Sequence, residues 1–279
     1  MKKFLTILIG ILLFTVAGAQ PVMIDTAQDR YIKIDDVKLH YKMWGKGEPV
    51  LLLHGAMEYW RSWKNQIPVL AKNHKVIVVD TRGHGESTFT DRELSYDLFA
   101  NDMNQFITLL GYDSINVVGF GDGAIIGMMM AIRRPGSVKR LVAIGSNLKA
   151  DTTAVYPDVL EKVKQWDYEK MAFYLQVKFK ENPNPLQLKE MARRMQKLLL
   201  TQPNMNYDDL DKVICPTLVM AGDRDLIKPM HTQFIFENLP IGQLCIIPGA
   251  THYCISEKPS IVNVAINDFL QLPQHPVKR

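Results

Sequence analysis

The segment that most constrains this chain is INVVGFGDGAIIGMMMA, which covers residues 115–131. It opens with a short apolar run suited to a strand, and from Ala124 it continues as an apolar run of helical length. A glycine-rich corner separates the two, with Gly119, Gly121 and Gly123 at alternate positions. The segment therefore predicts a buried strand that turns sharply into a buried helix, with Gly121 at the turn.

Strand-like and helix-like patterns alternate on both sides of this segment. RYIKID and VKLHYKMW are typical of two strands joined by a tight turn at Asp35 and Asp36, and PVLLLHG and KVIVVD are continuous apolar runs suited to strands buried on both faces. Runs with helical spacing stand between the strands, among them YWRSWKNQIPVLAK, YDLFANDMNQFITLLG and SIVNVAINDFLQL. This order predicts the α/β class, with a mostly parallel, eight-stranded sheet and helices on both faces.

The alternation stops between about residues 148 and 213. That stretch is charged, has helical spacing and contains no strand-like run, and two further strands follow it. We expect a helical cap inserted before the last two strands and folded over the carboxyl end of the sheet, where open α/β sheets bind their ligands.

The first nineteen residues have the composition of a cleavable secretory signal. Lys2 and Lys3 precede an apolar stretch from Phe4 to about Val16, and small residues follow up to Ala19. The apolar stretch is short for a membrane span. We therefore expect cleavage after Ala19, a secreted or periplasmic protein, and a single domain over residues 20–279.

Charge and cysteine content exclude several classes of function. Loss of Lys2 and Lys3 would take the formal net charge from +4 to +2. A net charge this small does not indicate binding to nucleic acid or to an acidic membrane. Three cysteines leave either a bridge between Cys215 and Cys245 or, as the simpler interpretation, buried free thiols. No spacing of residues resembles a metal site, so neither a metal nor another cofactor is predicted.

Four motifs stand in the order and places typical of one enzyme superfamily: HGAMEYWRSW, DTRGHGES, GFGDG and AGDRD…PGATH…EKP. With them the chain resembles the α/β-hydrolase superfamily over nearly all of residues 20–279. The spelling G-F-x-D-G is similar to that of serine hydrolases of the valacyclovir-hydrolase type, which act on amino-acid esters. The resemblance implies the α/β-hydrolase fold and an ester or amide hydrolase.

The same resemblance assigns a catalytic triad with one member missing. The family places a nucleophilic serine within a G-x-S-x-G turn, and Gly121 occupies that position here. Asp225, the second carboxylate of GDRD, matches the triad acid, and His252 of PGATH matches the base. Asp223 remains an alternative for the acid.

The resemblance also implies an oxyanion hole, made of the backbone N–H groups of Ala56 and Asp122. Both donors belong to the main chain, so the loss of serine does not remove them. Met57 and Asp122 are expected to line the substrate site. The Asp122 carboxylate either meets a substrate ammonium group or caps the helix, and both interpretations stay open. His54 and the turn that begins at Asp80 are interpreted as structural.

Two other nucleophiles are possible. If the pattern is shifted by one residue, Asp122 becomes the nucleophile, as in the dehalogenases and epoxide hydrolases of the superfamily. That register places bulky Phe120 where a tight turn needs a small residue. Ser146, at the end of the next strand, could also approach the crevice, although a loop or helix-capping serine is the simpler interpretation.

Three hypotheses account for Gly121. The chain has lost catalysis and binds a small ester-like ligand, or it still hydrolyses such a ligand slowly with a water activated by His252 and Asp225, or the glycine is a recent or deliberate replacement in an active esterase. In each case the expected partner is a small molecule, with no nucleic acid and no stable membrane span after cleavage.

Overall fold

The computed structural model describes residues 27–178 and 185–271, and the predicted signal segment lies outside these ranges. Within them, eight strands form one sheet. They are β1 (Arg30–Ile34), β2 (Val37–Trp44), β3 (Glu48–Leu53), β4 (His74–Val79), β5 (Ile115–Phe120), β6 (Val138–Ile144), β7 (Thr217–Arg224) and β8 (Gly242–Thr251).

The strands are hydrogen-bonded in the order β1-β2-β4-β3-β5-β6-β7-β8. β2 pairs antiparallel with both β1 and β4, and every neighbouring pair from β4 to β8 is parallel. All six residues of β5 are buried, whereas β1 at the edge exposes most of its residues. Strands covered on both faces read as continuous apolar runs, which is why sequence pattern alone located them. The predicted fold class is confirmed.

The described helices are α1 (Ile67–Leu70), α2 (Tyr96–Leu109), α3 (Asp122–Arg133), α4 (Pro157–Lys164), α5 (Tyr168–Lys178), α6 (Pro185–Thr201), α7 (Pro229–Asn238), α8 (Cys254–Glu257) and α9 (Pro259–Gln271). No helix within the described ranges is both long and apolar enough to cross a lipid bilayer.

One helix expected from the sequence forms only in part. The run YWRSWKNQIPVLAK contains a 3₁₀ turn at Trp60–Trp63 and the short helix α1, which begins at Ile67. Pro68 lies in the first turn of α1, and a proline is accommodated there because it has no N–H to donate to a preceding turn. The proline thus separates two short elements where the spacing of apolar residues predicted one helix.

Three helices, α4, α5 and α6, lie between β6 and β7 and provide the residues that cover the carboxyl end of the sheet. Side chains from each of them line the main pocket together with residues that follow β3, β5 and β8. The 3₁₀ segment Tyr207–Lys212, which the sequence placed in the same insertion, packs instead against α3 and α7.

Candidate active site

The corner between β5 and α3 has the geometry of a nucleophile elbow. Gly121 lies between the two elements with φ 54° and ψ −119°, in the region that favours glycine. A Cβ atom on Gly119 would lie 2.2 Å from the carbonyl oxygen of Gly123, and one on Gly123 would lie 2.0 Å from that of Leu53. The flanking glycines are therefore needed for close backbone packing.

Gly121, by contrast, has room for a side chain. A Cβ atom there would lie 3.4 Å from Nε2 of His252 and 3.5 Å from Cα of Gly55, which are ordinary van der Waals contacts. A side chain at residue 121 would thus begin beside Nε2 of His252, as the predicted nucleophile position requires. Asp122 is already the first residue of α3, so the geometry favours the original register over the shifted one.

His252 and Asp225 are brought together by the ends of the last two strands. Asp225 directly follows β7 and His252 directly follows β8. Nδ1 of His252 lies 2.8 Å from Oδ1 of Asp225, and that oxygen also accepts the backbone N–H of Ile227 at 3.0 Å. The Asp225 side chain is 1% exposed. A buried carboxylate on Nδ1 leaves Nε2 directed at the position beside Gly121.

The alternative acid and the alternative nucleophile lie elsewhere. Asp223 is exposed and accepts the backbone N–H of Ala250 at 3.2 Å, so it does not hold His252. Ser146 is buried but does not line the pocket.

The loop after β3 carries one half of the predicted oxyanion hole. Ala56 lines the pocket, and Met57, also in the pocket wall, has a positive φ of 57° that is unusual for a residue with a side chain. The Met57 N–H donates to Nε2 of His84 at 3.3 Å, while Nδ1 of His54 contacts the Gly55 carbonyl at 2.8 Å. This support holds the N–H of Ala56 at the bend after the strand.

The two histidines under this loop are scaffold. Burial lowers the pKa of His54 and lowers that of His84 well below its ordinary value. Both are therefore neutral near pH 7. Nε2 of His54 accepts the backbone N–H of Thr81 at 3.0 Å, which joins the loop to the turn after β4.

The turn after β4 is also structural, because buried charged side chains hold it together. Asp80 accepts the N–H of Trp60 at 2.7 Å and that of Glu86 at 3.1 Å. Arg82 forms a two-point ion pair with Asp102, at 2.7 and 2.9 Å. The charged residues of the DTRGHGES motif, Asp80, Arg82 and Glu86, do not line the pocket.

Asp122 supplies the second predicted oxyanion donor through its backbone and a carboxyl group through its side chain. The first N–H groups of a helix have no acceptor within it, so the Asp122 N–H remains available to the pocket. The side chain is 8% exposed in the pocket wall. Burial raises the pKa of this carboxyl to about 6, and the nearby Tyr96 and His252 offset only part of the effect.

The Asp122 carboxyl is incompletely satisfied. The Tyr96 hydroxyl lies near enough to favour the charged form, yet it does not reach hydrogen-bond geometry, and among the described residues neither that hydroxyl nor Oδ2 of Asp122 has a partner. Buried polar atoms in folded proteins nearly all have a hydrogen-bond partner, so these two atoms at the pocket wall call for an explanation.

The pocket has a volume of about 270 Å³. Its floor contains the corner at Gly121 and the His252 ring, which packs on Phe120 with ring centroids 5.0 Å apart. The cap contributes a mostly apolar roof, which includes Val159, Leu160 and Val163 of α4, Trp166, Met171, Tyr174 and Lys178 of α5, and Leu199 of α6. An apolar enclosure with a few convergent polar groups is typical of small-molecule sites.

The three cysteines carry free thiols. Cys215 and Cys254 are buried and Cys245 is partly buried. The simpler of the two interpretations of the cysteines therefore describes this structure.

Known proteins resemble the chain in sequence and in fold. The family described as alpha/beta hydrolase fold matches residues 48–192, just over half of the chain. This chain belongs to the α/β-hydrolase family. Its sequence is 27% identical over 266 residues to the 2-hydroxy-6-oxo-6-(2'-aminophenyl)hexa-2,4-dienoic acid hydrolase of Metapseudomonas resinovorans, with 87% of this chain and 90% of that protein covered.

A second relative of this α/β-hydrolase is the serine hydrolase BPHL of Mus musculus, 25% identical over 250 residues, with 86% of this chain and 85% of that protein covered. The solved structure of Est816, described as an N-acyl homoserine lactone degrading enzyme, superimposes with a TM-score of 0.73 at 24% identity and covers 86% of this chain and 100% of that one. At that identity the likeness concerns the fold alone. The hydrolase relatives support a hydrolase-type function for this family member.

Sequence reasoning missed several pocket residues of this α/β-hydrolase. Glu58 stands within the quoted HGAMEYW motif, and its place two residues after Ala56 could have marked it as a wall residue. Tyr96 and Lys178 gave no such signal, because each lies in an ordinary helical pattern and reaches the pocket only through the packing of its helix.

Proposed function

We propose that this protein binds a small ester or amide beneath its cap and hydrolyses it slowly, by activation of a water molecule beside Gly121. One observation carries the proposal. Nε2 of His252 faces the position where a side chain of residue 121 would begin, at 3.4 Å, while Asp225 holds Nδ1 at 2.8 Å. A neutral imidazole oriented in this way is a general base without its usual serine partner.

The reaction would proceed in two steps. A water in the space beside Gly121 gives a proton to Nε2 of His252 and its oxygen attacks the carbonyl carbon. The negative charge moves to the carbonyl oxygen, where the N–H groups of Ala56 and Asp122 stabilise it. The intermediate then collapses, the alcohol or amine leaves with the proton from His252, and a carboxylic acid remains.

The expected rate is low but measurable. An oxyanion hole and substrate binding retain roughly 10³–10⁴-fold acceleration over water when a triad member is removed. Purified protein should therefore hydrolyse activated small esters above the buffer rate, and His252→Ala should lower that excess to the part that the oxyanion hole and substrate binding supply without a general base. A fluorophosphonate probe should leave the protein unlabelled, because no serine hydroxyl stands at the corner.

The substrate that best fits the wall carries a cation near its carbonyl. Asp122 is buried, has an oxygen without a partner among the described residues, and lies next to the reacting position. A substrate ammonium group would supply the missing opposite charge. Aminoacyl esters should therefore be preferred over N-acetylated aminoacyl esters, and Asp122→Asn should remove the preference.

A second candidate is a ligand-binding protein without catalysis. The glycine at position 121 favours this candidate, because glycine has no side chain that could attack a carbonyl carbon. The same assays separate the two: saturable binding of esters together with hydrolysis no faster than buffer would establish the second candidate and refute the first.

We further propose export to the periplasm or the exterior, supported by the order of basic, apolar and small residues up to Ala19. Expression of the full chain in a bacterial host and mass measurement of the product tests this. An N-terminus at Gln20 in the exported fraction is expected, and a product that retains Met1–Ala19 in the cytoplasm would contradict it.

A further inference from the structure

A second charged group lies in the wall of the same pocket, on the cap. Lys178 of α5 and Glu58 of the loop after β3 both line the pocket, and Nζ of Lys178 lies 2.5 Å from Oε1 of Glu58. The two residues are 120 positions apart in sequence, so this ion pair joins the cap to the loop that holds the oxyanion donor Ala56. Their side chains are 19% and 20% exposed.

The Lys178–Glu58 pair leaves N–H donors of Lys178 that a ligand could engage. Glu58 already accepts from Lys178 through Oε1 and from the Ser62 hydroxyl through Oε2, at 2.5 Å. An ammonium group has three N–H donors, and among the described residues Lys178 uses one of them, on Glu58. A ligand group that approaches this wall therefore meets an ammonium group with two N–H donors not engaged by the described residues, and a carboxylate whose oxygens each already accept one hydrogen bond.

The environment of Lys178 orients its ammonium group. The ring of Tyr174, from the preceding turn of α5, lies under Nζ at 5.5 Å from the ring centroid, a cation–π contact that supports the charge from one side. Glu58 holds it from another. Partial burial reduces competition from water, so an anion placed here would interact more strongly than at an open surface.

Lys178 and Asp122 occupy different parts of the wall. Asp122 lies against Tyr96 of α2, whereas Lys178 lies against Glu58 and Tyr174. Within the part of the chain that the structure describes, the pocket therefore presents an unpartnered carboxyl oxygen in one place and cationic donors without a partner in another.

We propose that Lys178 binds a carboxylate carried by the substrate, with Glu58 fixing its position and tuning its affinity. The inference rests on the proposed function, because it names a substrate class for the same pocket: small esters or amides that bear a carboxylate in addition to the bond to be cleaved. Together with Asp122, it makes molecules that carry both charges the best ligands.

Two probes of nearly equal size test the anion site directly. Glutarate monomethyl ester is a monoanion at pH 7.5, and dimethyl glutarate is neutral. Calorimetric titration of the full natural chain should show about tenfold tighter binding of the monoanion, the lower end of the range for hydrogen bonds to charged groups. The measured quantity is the ratio of the two dissociation constants.

Four variants decide the cause of that ratio. Lys178→Met should bring the ratio to about one, and Lys178→Arg, which keeps the charge, should restore a preference. Glu58→Gln removes the competing anion and should raise the ratio above that of the natural chain. Lys170→Met is the matched control, because Lys170 is an exposed lysine of the same helix outside the pocket, and it should leave the ratio unchanged.

The Glu58→Gln variant distinguishes an anion-binding site from an ion pair that only stabilises the packing of the cap. If the pair only fastens the cap, Lys178→Met and Glu58→Gln should lower the melting temperature alike and leave the ratio alone, which would overturn the proposal. Binding of the neutral diester without preference for the monoanion would also overturn it while the proposed function stands. Failure of both probes to bind would count against both.

Discussion

Replacement of Gly121 by serine should create an efficient esterase at a small cost in stability. The new Cβ meets Nε2 of His252 at 3.4 Å and Cα of Gly55 at 3.5 Å, so no neighbour has to move. One bond further, the hydroxyl reaches the hydrogen-bond range to Nε2, about 2.6–3.2 Å for a nucleophile and its base. The proposed base, His252, and the proposed acid, Asp225, are already hydrogen-bonded, and the two proposed oxyanion donors already line the pocket.

The cost in stability follows from the backbone. Residue 121 has φ 54° and ψ −119°, a sparsely populated conformation in which a side chain costs about 1–3 kcal/mol. Loss of glycine restricts the unfolded chain and returns about 0.4–1 kcal/mol. The net destabilisation should be about 1 kcal/mol, which corresponds to a melting temperature about 2–4 °C lower for a domain of this size.

The gain in activity should be far larger. Triad members act as a unit, and removal of the serine alone costs roughly 10⁶-fold in kcat in a well-studied protease. A pocket not shaped by selection for the new serine should recover less, but at least about 10³-fold over the natural chain on p-nitrophenyl or aminoacyl esters. The serine variant should also be labelled by a fluorophosphonate probe.

Two controls isolate the hydroxyl. Gly121→Ala introduces the same strained Cβ without a nucleophile, so it should share the melting temperature of the serine variant and show neither gain nor labelling. Gly121→Ser combined with His252→Ala should also lack the gain. If Gly121→Ser folds, melts as expected and binds esters, yet neither cleaves them nor reacts with the probe, the assignment of residue 121 as the nucleophile position is wrong.

Three further predictions concern charges. The preference for cationic esters should weaken as the pH falls through about 6, where Asp122 takes up a proton, and should be independent of pH between 5 and 8 in Asp122→Asn. Arg82→Met leaves the carboxylate of Asp102 buried and unpaired, so urea unfolding should report a loss of about 3–5 kcal/mol. Burial opposes protonation of His40, but the hydrogen bond to Asp80 outweighs it and raises the pKa of His40 above the ordinary value. Protonated His40 should therefore stabilise the fold fully below pH 6.5, and this stabilisation should be lost as the pH rises through the raised pKa. Unfolding curves of His40→Gln should not show that loss.

The sequence by itself determined the sheet and its sharp corner. Val50–Leu53 of β3 and all of β5 are buried, and apart from Asn116 and Gly119 these positions carry apolar side chains, so the pattern could be seen without any partner strand. The corner was equally local: Gly119 and Gly123 stand where backbones touch, and only glycine fits there. The run from Tyr59 to Lys72 was misjudged because the effect of Pro68 on the helix outweighs the spacing of apolar residues.

The candidate site was within reach of the sequence only through resemblance to a family. Asp225 and His252 are 27 residues apart, and nothing in their spacing shows that β7 and β8 are neighbours whose ends bring Nδ1 and Oδ1 to 2.8 Å. The family order of motifs carried that information.

Tertiary structure alone decided the chemistry of the pocket wall. The pKa of Asp122 rises to about 6 because folding buries the carboxyl group beside a Tyr96 hydroxyl that does not reach hydrogen-bond geometry. The pairing of Lys178 with Glu58 depends on how the cap packs over the sheet. Both effects arise between elements distant in sequence. Desolvation and charge pairing depend on what surrounds a side chain in space, and a linear pattern does not record those surroundings.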